Sequence, residues 1–135
     1  MNAWISIDNS GQVTITNHRA EMGQGSYQSV PQIIAEELEV DLDQVNIVFA
    51  QGDGKKYGSQ ITGGSSTIRG SYTSFCNLSA SAREMLIETA ANKWNVSKSE
   101  CHAENGFVIS QTNGEKIQLR RTRCRSIEIE ASEKC

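Results

Sequence analysis

The sequence predicts an α+β fold: one mixed β-sheet with two main helices on one face, in the order strand, strand, helix, strand, helix, strand, strand. Two observations predict it. Short segments of alternating polar and apolar residues lie near both ends of the chain, and two longer segments between them repeat apolar residues every three or four positions. With 135 residues, 37% of them hydrophobic, the chain can form one domain with its own core.

The first two strands form a predicted hairpin. Ile5 and Ile7 alternate with polar residues before a cluster of turn-forming residues at positions 8–11, and Val13 and Ile15 alternate after it.

The first helix is predicted within residues 26–40, and the third strand follows at residues 45–49. Pro31 has no N–H to donate, so the regular helix either begins near it or bends there. The apolar residues of this helix recur at helical spacing: Val30, Ile33, Ile34 and Leu38.

The second helix is predicted as a single long element from Ile68 to Lys93, about seven turns at 3.6 residues per turn. The last two strands are predicted at residues 107–109 and 117–119. Asn113 and Gly114 between them favour a hairpin turn.

Residues 1–118 are predicted to form the domain, and residues 119–135 a charged tail that is poorly ordered. The net charge of −3 gives no general attraction to nucleic acid, so no nucleic-acid partner is expected. An RNA-binding arm is the alternative for the tail, but no aromatic residue interleaves with its arginines, so a solvated tail is favoured. The arginines of this predicted tail are Arg120, Arg121, Arg123 and Arg125. No apolar run approaches membrane-spanning length, so no membrane segment is expected in this chain.

Neither a metal site nor a nucleophile is evident. The four cysteines, Cys76, Cys101, Cys124 and Cys135, include no C-x-x-C pair, and the two histidines fall in unrelated contexts. No serine or cysteine stands in a recognisable nucleophile elbow. We therefore assign no metal ligand and no catalytic residue.

Residues 22–25 (M-G-Q-G) lie where strand alternation gives way to the first helical pattern. Gly23 and Gly25 allow the backbone to pass close to a ligand, and the N–H groups at a helix start attract anions. Gln24 adds a neutral amide that can both donate and accept hydrogen bonds. Such chemistry suits a phosphate or the edge of a heteroaromatic ring, although a plain glycine-rich turn explains the pattern equally well.

Residues 62–67 (T-G-G-S-S-T) open the second helical pattern with glycines and hydroxyls. The stretch from Gly58 reads G-x-x-x-x-G-G-S, a phosphate-loop pattern with Gly64 where the lysine should be. The missing lysine argues against nucleotide hydrolysis. Backbone and hydroxyl donors without that lysine fit a ligand held by many neutral hydrogen bonds.

Taken together, these motifs resemble the molybdenum-binding large subunit of the xanthine dehydrogenase and aldehyde oxidase family, in particular the β-subunit of bacterial isoquinoline 1-oxidoreductases. The resemblance lies in residues 21–25 (E-M-G-Q-G), 34–38 (I-A-E-E-L) and 62–69 (T-G-G-S-S-T-I-R), followed by the long helix. Residues 101–106, which lead into a strand, are also similar. The resemblance as a whole covers residues 2–118.

The resemblance implies a large subunit that holds molybdenum in molybdopterin cytosine dinucleotide. Such a subunit hydroxylates a small-molecule substrate, an N-heterocycle or an aldehyde, with water as the oxygen source. Electrons leave through an iron–sulfur small subunit, and the remainder of the large subunit is the other expected partner. The resemblance also implies which residues contact the cofactor: Gly23, Gln24 and Gly25 at the pterin and molybdenum ligands, and Gly63, Gly64, Ser65, Ser66 and Thr67 at the pterin or its phosphates.

Two parts of the family pattern are absent from the chain. The family's general base is a glutamate in a G-E-P-G type motif, which does not occur here, and an F-G-G type segment is also missing. We therefore expect a cofactor-contacting fragment without activity of its own. The alternative is a non-catalytic α+β binding module with glycine-rich, anion-binding helix starts, and a nucleotide-phosphate binder is a third possibility.

Overall fold

The structure, a computed structural model, describes residues 4–8 and 10–119. It confirms the α+β class: strands near both ends of the chain enclose a helical middle. Most of the predicted tail, residues 120–135, lies outside the described residues. Leu119, the first residue assigned to the tail, is buried in the core.

The first sheet contains three strands in the order β1-β2-β3. Strand β1 (Ile5–Ile7) pairs antiparallel with β2 (Val13–Asn17), as the predicted hairpin requires, and Ile5 lies opposite Ile15. Strand β3 (Val45–Phe49) pairs parallel with β2, which places Ile47 opposite Ile15. Strands β1 and β2 alternate between buried and more exposed residues, which follows from the period of two in their sequences.

The second sheet is antiparallel, in the order β4-β5-β6, with β4 (Cys101–Glu104), β5 (Phe107–Ser110) and β6 (Lys116–Gln118). The prediction of one mixed sheet is therefore wrong, and β4 was not predicted. Strand β4 carries no clear apolar alternation, so only its pairing with β5 identifies it.

Helix α1 (Ser26–Leu38) contacts β2 and β3, whereas the long helix α4 (Tyr72–Trp94) contacts β4 and β5. The two helices pack on each other and so join the halves of the domain. Pro31 lies inside α1 and is buried. The shared core combines apolar residues of both sheets and both helices, among them Ile5, Ile15, Val30, Ile34, Leu38, Phe75, Ala90, Val108 and Leu119.

The predicted second helix is divided into two elements. A short helix, α3 (Ser66–Arg69), ends at Gly70, and α4 starts two residues later. A Cβ atom at Gly70 would lie 2.8 Å from the carbonyl oxygen of Ser66, so only glycine fits this junction. The apolar spacing continues across the break, which is why the sequence predicted one helix.

The remaining elements are short. Helix α2 (Gly54–Tyr57) lies in the connection after β3, and 3₁₀ turns at Leu42–Gln44 and Lys98–Glu100 precede β3 and β4. None of the helices in the described part of the chain is long and apolar enough to cross a membrane.

Candidate functional site

The structure brings the two glycine-rich segments together. We call residues 21–25 the first loop and residues 61–65 the second loop. The first loop follows β2 and leads into α1, and the second leads into α3. Residues 18–20 and 60–62, which enter the two loops, run side by side and are joined by hydrogen bonds between residues 42 positions apart.

Three side chains make these connections. Gln60 donates from Nε2 to the carbonyl oxygen of His18 at 3.2 Å, and Thr62 donates from Oγ1 to that of Ala20 at 3.1 Å. Between them, Arg19 donates from Nη1 to the carbonyl oxygen of Ile61. Because each bond joins a side chain to the backbone of the other segment, the relative position of the loops is fixed.

The carbonyl oxygen of Ala20 is shared by both loops. It accepts from Nε2 of Gln24 in the first loop at 2.8 Å and from Oγ1 of Thr62 in the second at 3.1 Å. A carbonyl oxygen has two lone pairs, so both bonds can form together. This atom therefore couples the two loops.

In the first loop, the carboxylate of Glu21 binds the backbone of its own loop. Oε1 accepts from the N–H groups of Gly23 at 2.7 Å and Gly25 at 3.0 Å. Oε2 accepts from the N–H of Tyr27 at 2.7 Å and from the hydroxyl of Ser26 at 3.2 Å. The N–H groups that we expected to bind an external anion are therefore occupied by the carboxylate of Glu21.

These hydrogen bonds favour the charged form of Glu21. The backbone N–H groups of Tyr27 and Gly25, followed by those of Gly23 and by the Ser26 hydroxyl, lower the pKa of Glu21 from 4.5 to about 2. The side chain is therefore an anion at neutral pH and cannot serve there as a proton donor. Its low pKa and its four hydrogen bonds also make this carboxylate a poor general base.

The amide of Gln24 is also turned inward. Its Oε1 accepts from the N–H of Met22 at 2.6 Å, and its Nε2 donates to Ala20 at 2.8 Å and to Oγ of Ser26 at 2.7 Å. Both amide hydrogens are used by these bonds, and one lone pair on Oε1 remains. Donation from Gln24 to a ligand would therefore require it to give up a bond within the loop.

The glycines of the first loop are required by backbone conformation. Gly23 has φ +97° and Gly25 has φ +84°, values that L side chains rarely adopt. A Cβ atom at either position would meet nothing within 4 Å. The space beside both glycines is therefore open to a ligand, and their backbones can be approached closely.

The second loop differs because its donors are free. The N–H groups of Gly63, Gly64 and Ser65 have no acceptor among the described residues. Gly64 and Ser65 both have positive φ, +59° and +54°, so the backbone makes a left-handed turn where these three consecutive N–H groups lie. Ser66 and Thr67 lie in the first turn of α3, and only Thr67 is buried.

The segment that enters the first loop contains a buried, hydrogen-bonded pair of side chains, His18 and Arg19. Arg19 is 8% exposed and donates from Nε to Nε2 of His18 at 3.0 Å. Burial first, and then the charge of Arg19, lower the pKa of His18 from 6.5 to about 4, so the imidazole is neutral and can accept that bond. The sequence indicated neither this pair nor Gln60 as part of the site.

Two large apolar side chains flank the loops in solvent. Met22 in the first loop is 69% exposed, and Ile61 in the second is 75% exposed. Within residues 4–8 and 10–119, no group of three or more His, Cys, Asp or Glu side chains is placed to hold a metal ion.

The fold and the two coupled loops define an α+β domain with two adjacent glycine-rich helix starts, one closed by Glu21 and Gln24 and one with backbone donors that are free within the described residues. The family model for the molybdopterin cofactor-binding domain matches residues 1–134. The chain therefore belongs to that family, which confirms the resemblance seen in the sequence. The match also includes the segment that was predicted to be a tail.

Curated relatives agree with this assignment. The chain is 32% identical over 128 residues to the β-subunit of isoquinoline 1-oxidoreductase from Brevundimonas diminuta, a match that covers 86% of this chain and 16% of that protein. It is 31% identical over 117 residues to a subunit of nicotinate dehydrogenase from Pseudomonas putida, covering 86% of this chain and 10% of that protein. The chain thus spans only a small part of the relatives that it matches.

Solved structures show the same fold. Quinoline 2-oxidoreductase from Pseudomonas putida 86 superposes with a TM-score of 0.67 at 22% identity, over 87% of this chain and 15% of that chain. A Cu,Mo-CO dehydrogenase superposes with a TM-score of 0.69 at 21% identity, again over 87% of this chain and 15% of that chain.

Proposed function

We propose that this chain is the part of a molybdenum hydroxylase large subunit that contacts molybdopterin cytosine dinucleotide. The complete enzyme would oxidise a small N-heterocycle or an aldehyde: a C–H bond is replaced by C–OH, water supplies the oxygen, and two electrons and two protons are released. The electrons would pass to an iron–sulfur small subunit. The family match supports the cofactor class, and the relatives' names support the substrate class.

The observation that carries the proposal is the coupling of the two glycine loops through Ala20 and through the paired entry segments. A dinucleotide cofactor is large, and binding it requires contacts at several separated points. Two loops held at a fixed spacing supply two such points. An isolated glycine-rich turn, which is the simplest structural explanation of either motif, needs no bond to the other.

The donor set fits the cofactor, although differently at each loop. The free N–H groups of Gly63, Gly64 and Ser65 suit a phosphate or the polar edge of a ring, and Ser66 follows them at the start of α3, where Thr67 is buried. In the first loop, Gly23 and Gly25 offer open space and close approach. Met22 and Ile61 add apolar surface for a flat ring system.

In this arrangement the chain binds and orients the cofactor and carries out no proton transfer. When bound, the molybdenum cofactor supplies the redox chemistry. Gln24 shapes the first loop through its three internal bonds, and it reaches the cofactor through the remaining lone pair of Oε1 or by exchanging one amide bond. We expect the general base to come from another part of the large subunit, because no G-E-P-G type motif occurs in this sequence.

Two glycines provide a matched test in the complete large subunit. Gly64 in the second loop and Gly114 in the last hairpin turn have similar φ values, +59° and +69°, and a Cβ at either position meets nothing within 4 Å. Gly→Val at either position therefore introduces comparable backbone strain. We expect Gly64→Val to lower molybdenum and released cytidine monophosphate per folded subunit, whereas Gly114→Val retains both.

If both variants keep the cofactor equally, Gly64 does not contact it. If both lose it equally, the loss reflects general destabilisation, and the second loop loses its assignment.

A further inference from the structure

The start of α1 contains a binding seat for an anion that is filled by a side chain of the same chain. Four donors converge on the carboxylate of Glu21: the N–H groups of Gly23, Gly25 and Tyr27, and the hydroxyl of Ser26. The residue at the N-cap position, Gly25, has no side chain to cap the helix. Glu21 supplies the missing acceptor from four residues upstream.

We propose that Glu21 is a built-in anion that fills this seat and thereby determines which part of a ligand the first loop can take. A second anion at the same place would have to compete for the same donors and would be repelled by the carboxylate. The first loop can therefore take only neutral groups, in particular one that donates a hydrogen bond to the remaining lone pair of Gln24 Oε1. Glu21 acts as a positioning residue, because it contacts the loop and not the ligand.

The second loop differs from the first in that its N–H groups are not occupied by any residue that the structure describes. Its three consecutive N–H groups have no acceptor in the described part of the chain, and no carboxylate folds back on them. The negatively charged part of a ligand would accordingly lie at the second loop and its uncharged part at the first. This division rests on the proposed function, whereas the filled seat at Glu21 does not.

The seat can be tested by removing its occupant and supplying a replacement. In Glu21→Ala, the four donors lose their acceptor, and formate, a small carboxylate, can enter the vacated place. We expect thermal unfolding of the 135-residue chain to occur at a lower temperature in this variant. Sodium formate should restore part of the loss in a concentration-dependent way, relative to sodium chloride at the same ionic strength.

Glu36→Ala is the matched control. Glu36 lies on α1, is exposed, and its side chain makes no ion pair or hydrogen bond within the described residues. The wild type and Glu36→Ala should respond identically to formate and chloride. A Glu21→Ala variant that shows no preference for formate, or a wild type that is stabilised by formate to the same extent, would overturn the proposal.

A second measurement does not depend on the folding of the alanine variant. Backbone amide signals can be followed by NMR while inorganic phosphate is added to the wild type and to Glu21→Gln, which preserves the size of the side chain. We expect phosphate to leave the amides of Gly23, Gly25 and Tyr27 unchanged in the wild type, and to shift them in Glu21→Gln. Equal shifts in both proteins would show that the seat is open and the proposal wrong. Neither experiment contains the molybdenum cofactor, so a negative result here leaves the proposed function to its own test.

Discussion

The two glycine loops each carry two glycines before a helix, and they have opposite hydrogen-bonding states. In the first loop, Glu21 and Gln24 bind the N–H groups and carbonyl oxygens of their own segment. In the second loop, the N–H groups of Gly63, Gly64 and Ser65 point to no acceptor in the described part of the chain. One loop is closed on itself, and the other is open.

This difference shows that a glycine-rich helix start is not sufficient evidence for an anion site. A carboxylate two residues before the first glycine occupies the N–H groups that an external anion would need, because it supplies the anion from within the chain. The second loop has no acidic residue close enough in sequence to do the same. The residues just before the glycines are therefore as informative as the glycines themselves.

The largest expected effect is the complete absence of activity in the isolated chain. Hydroxylation requires a metal, a base and a path for electrons, and this chain offers only part of the first. The purified chain should also contain no molybdenum, because two loops provide a fraction of the contacts of a dinucleotide. Near-stoichiometric molybdenum by elemental analysis would show that the two loops suffice to bind the cofactor. Dye-coupled turnover of an N-heterocycle or aldehyde would show that the isolated chain is active.

Replacing Gln24 should have the next largest effect in the complete subunit. Gln24→Ala removes three bonds within the closed loop; Met22 and Ala20 lie near the solvent, where water can replace the amide, whereas Ser26 is buried. We expect turnover per bound molybdenum to fall about 10- to 100-fold, as for a lost interaction of about 1–3 kcal/mol. Thermal stability should fall only modestly.

The control for Gln24 is Gln32→Ala, an exposed glutamine on α1 without a hydrogen bond from its side chain in the described residues. It should leave both turnover and stability unchanged. A Gln24→Ala enzyme with a lower melting temperature and normal turnover per molybdenum would reduce Gln24 to a structural residue.

The sequence predicted local structure better than long-range pairing. The hairpin of β1 and β2 and the helical region of α1 were correct because alternation and apolar spacing are properties of neighbouring residues. The division into two sheets depends on which helix each strand packs against, and this is decided by contacts across the whole chain. Gly70 illustrates the same limit, since its role follows from one carbonyl oxygen in the preceding turn.

The location of the candidate site was predicted, and its internal bonding was not. Both glycine segments occupy helix starts, as their sequences indicated. The roles of Glu21, Arg19 and Gln60 depend on how the chain turns back after the strands, which periodicity does not describe. A carboxylate within six residues of a glycine-rich helix start was the one available signal. Whether the eight predicted contact residues bind the cofactor stays a prediction.

Lowering the pH should destabilise the protein in two separate ranges, one set by His18 and the other by Glu21. His18 has a pKa of about 4 in the folded protein against 6.5 for an exposed histidine, so the unfolded chain binds the extra proton between those values. Stability should therefore fall as the pH drops from about 6.5 to about 4. Glu21, with a pKa of about 2 against 4.5, should cause a further loss as the pH drops through that lower range.

Urea unfolding at a series of pH values can assign each range to its residue. His18→Gln keeps an acceptor for Arg19 but cannot titrate, so it should remove the dependence in the upper range only. Glu21→Gln should reduce the dependence in the lower range, to which Asp8 and Glu100 also contribute through their lowered pKa values, and should leave the upper range unchanged. A wild type whose stability is flat from about pH 6.5 to about pH 4, relative to His18→Gln, would mean that His18 is not held neutral.

The smallest expected effect concerns the coupling of the two loops through Ala20. Thr62→Val removes the bond from the second loop but leaves the Ala20 carbonyl oxygen bound to Gln24, so the variant should lose about 0.5–1 kcal/mol of unfolding free energy. Gln24→Ala leaves the same oxygen bound to Thr62. Only the double variant deprives it of both donors.

A double-mutant cycle in the isolated chain measures this coupling by urea unfolding. Because either bond alone still anchors the Ala20 carbonyl to one of the loops, the double variant should lose more than the sum of the single losses, by about 0.5–1 kcal/mol. Gln32→Ala combined with Thr62→Val is the control pair and should be additive. If Gln24 and Thr62 are also additive within about 0.3 kcal/mol, the two loops are energetically independent, and their closeness gives no support to a shared ligand.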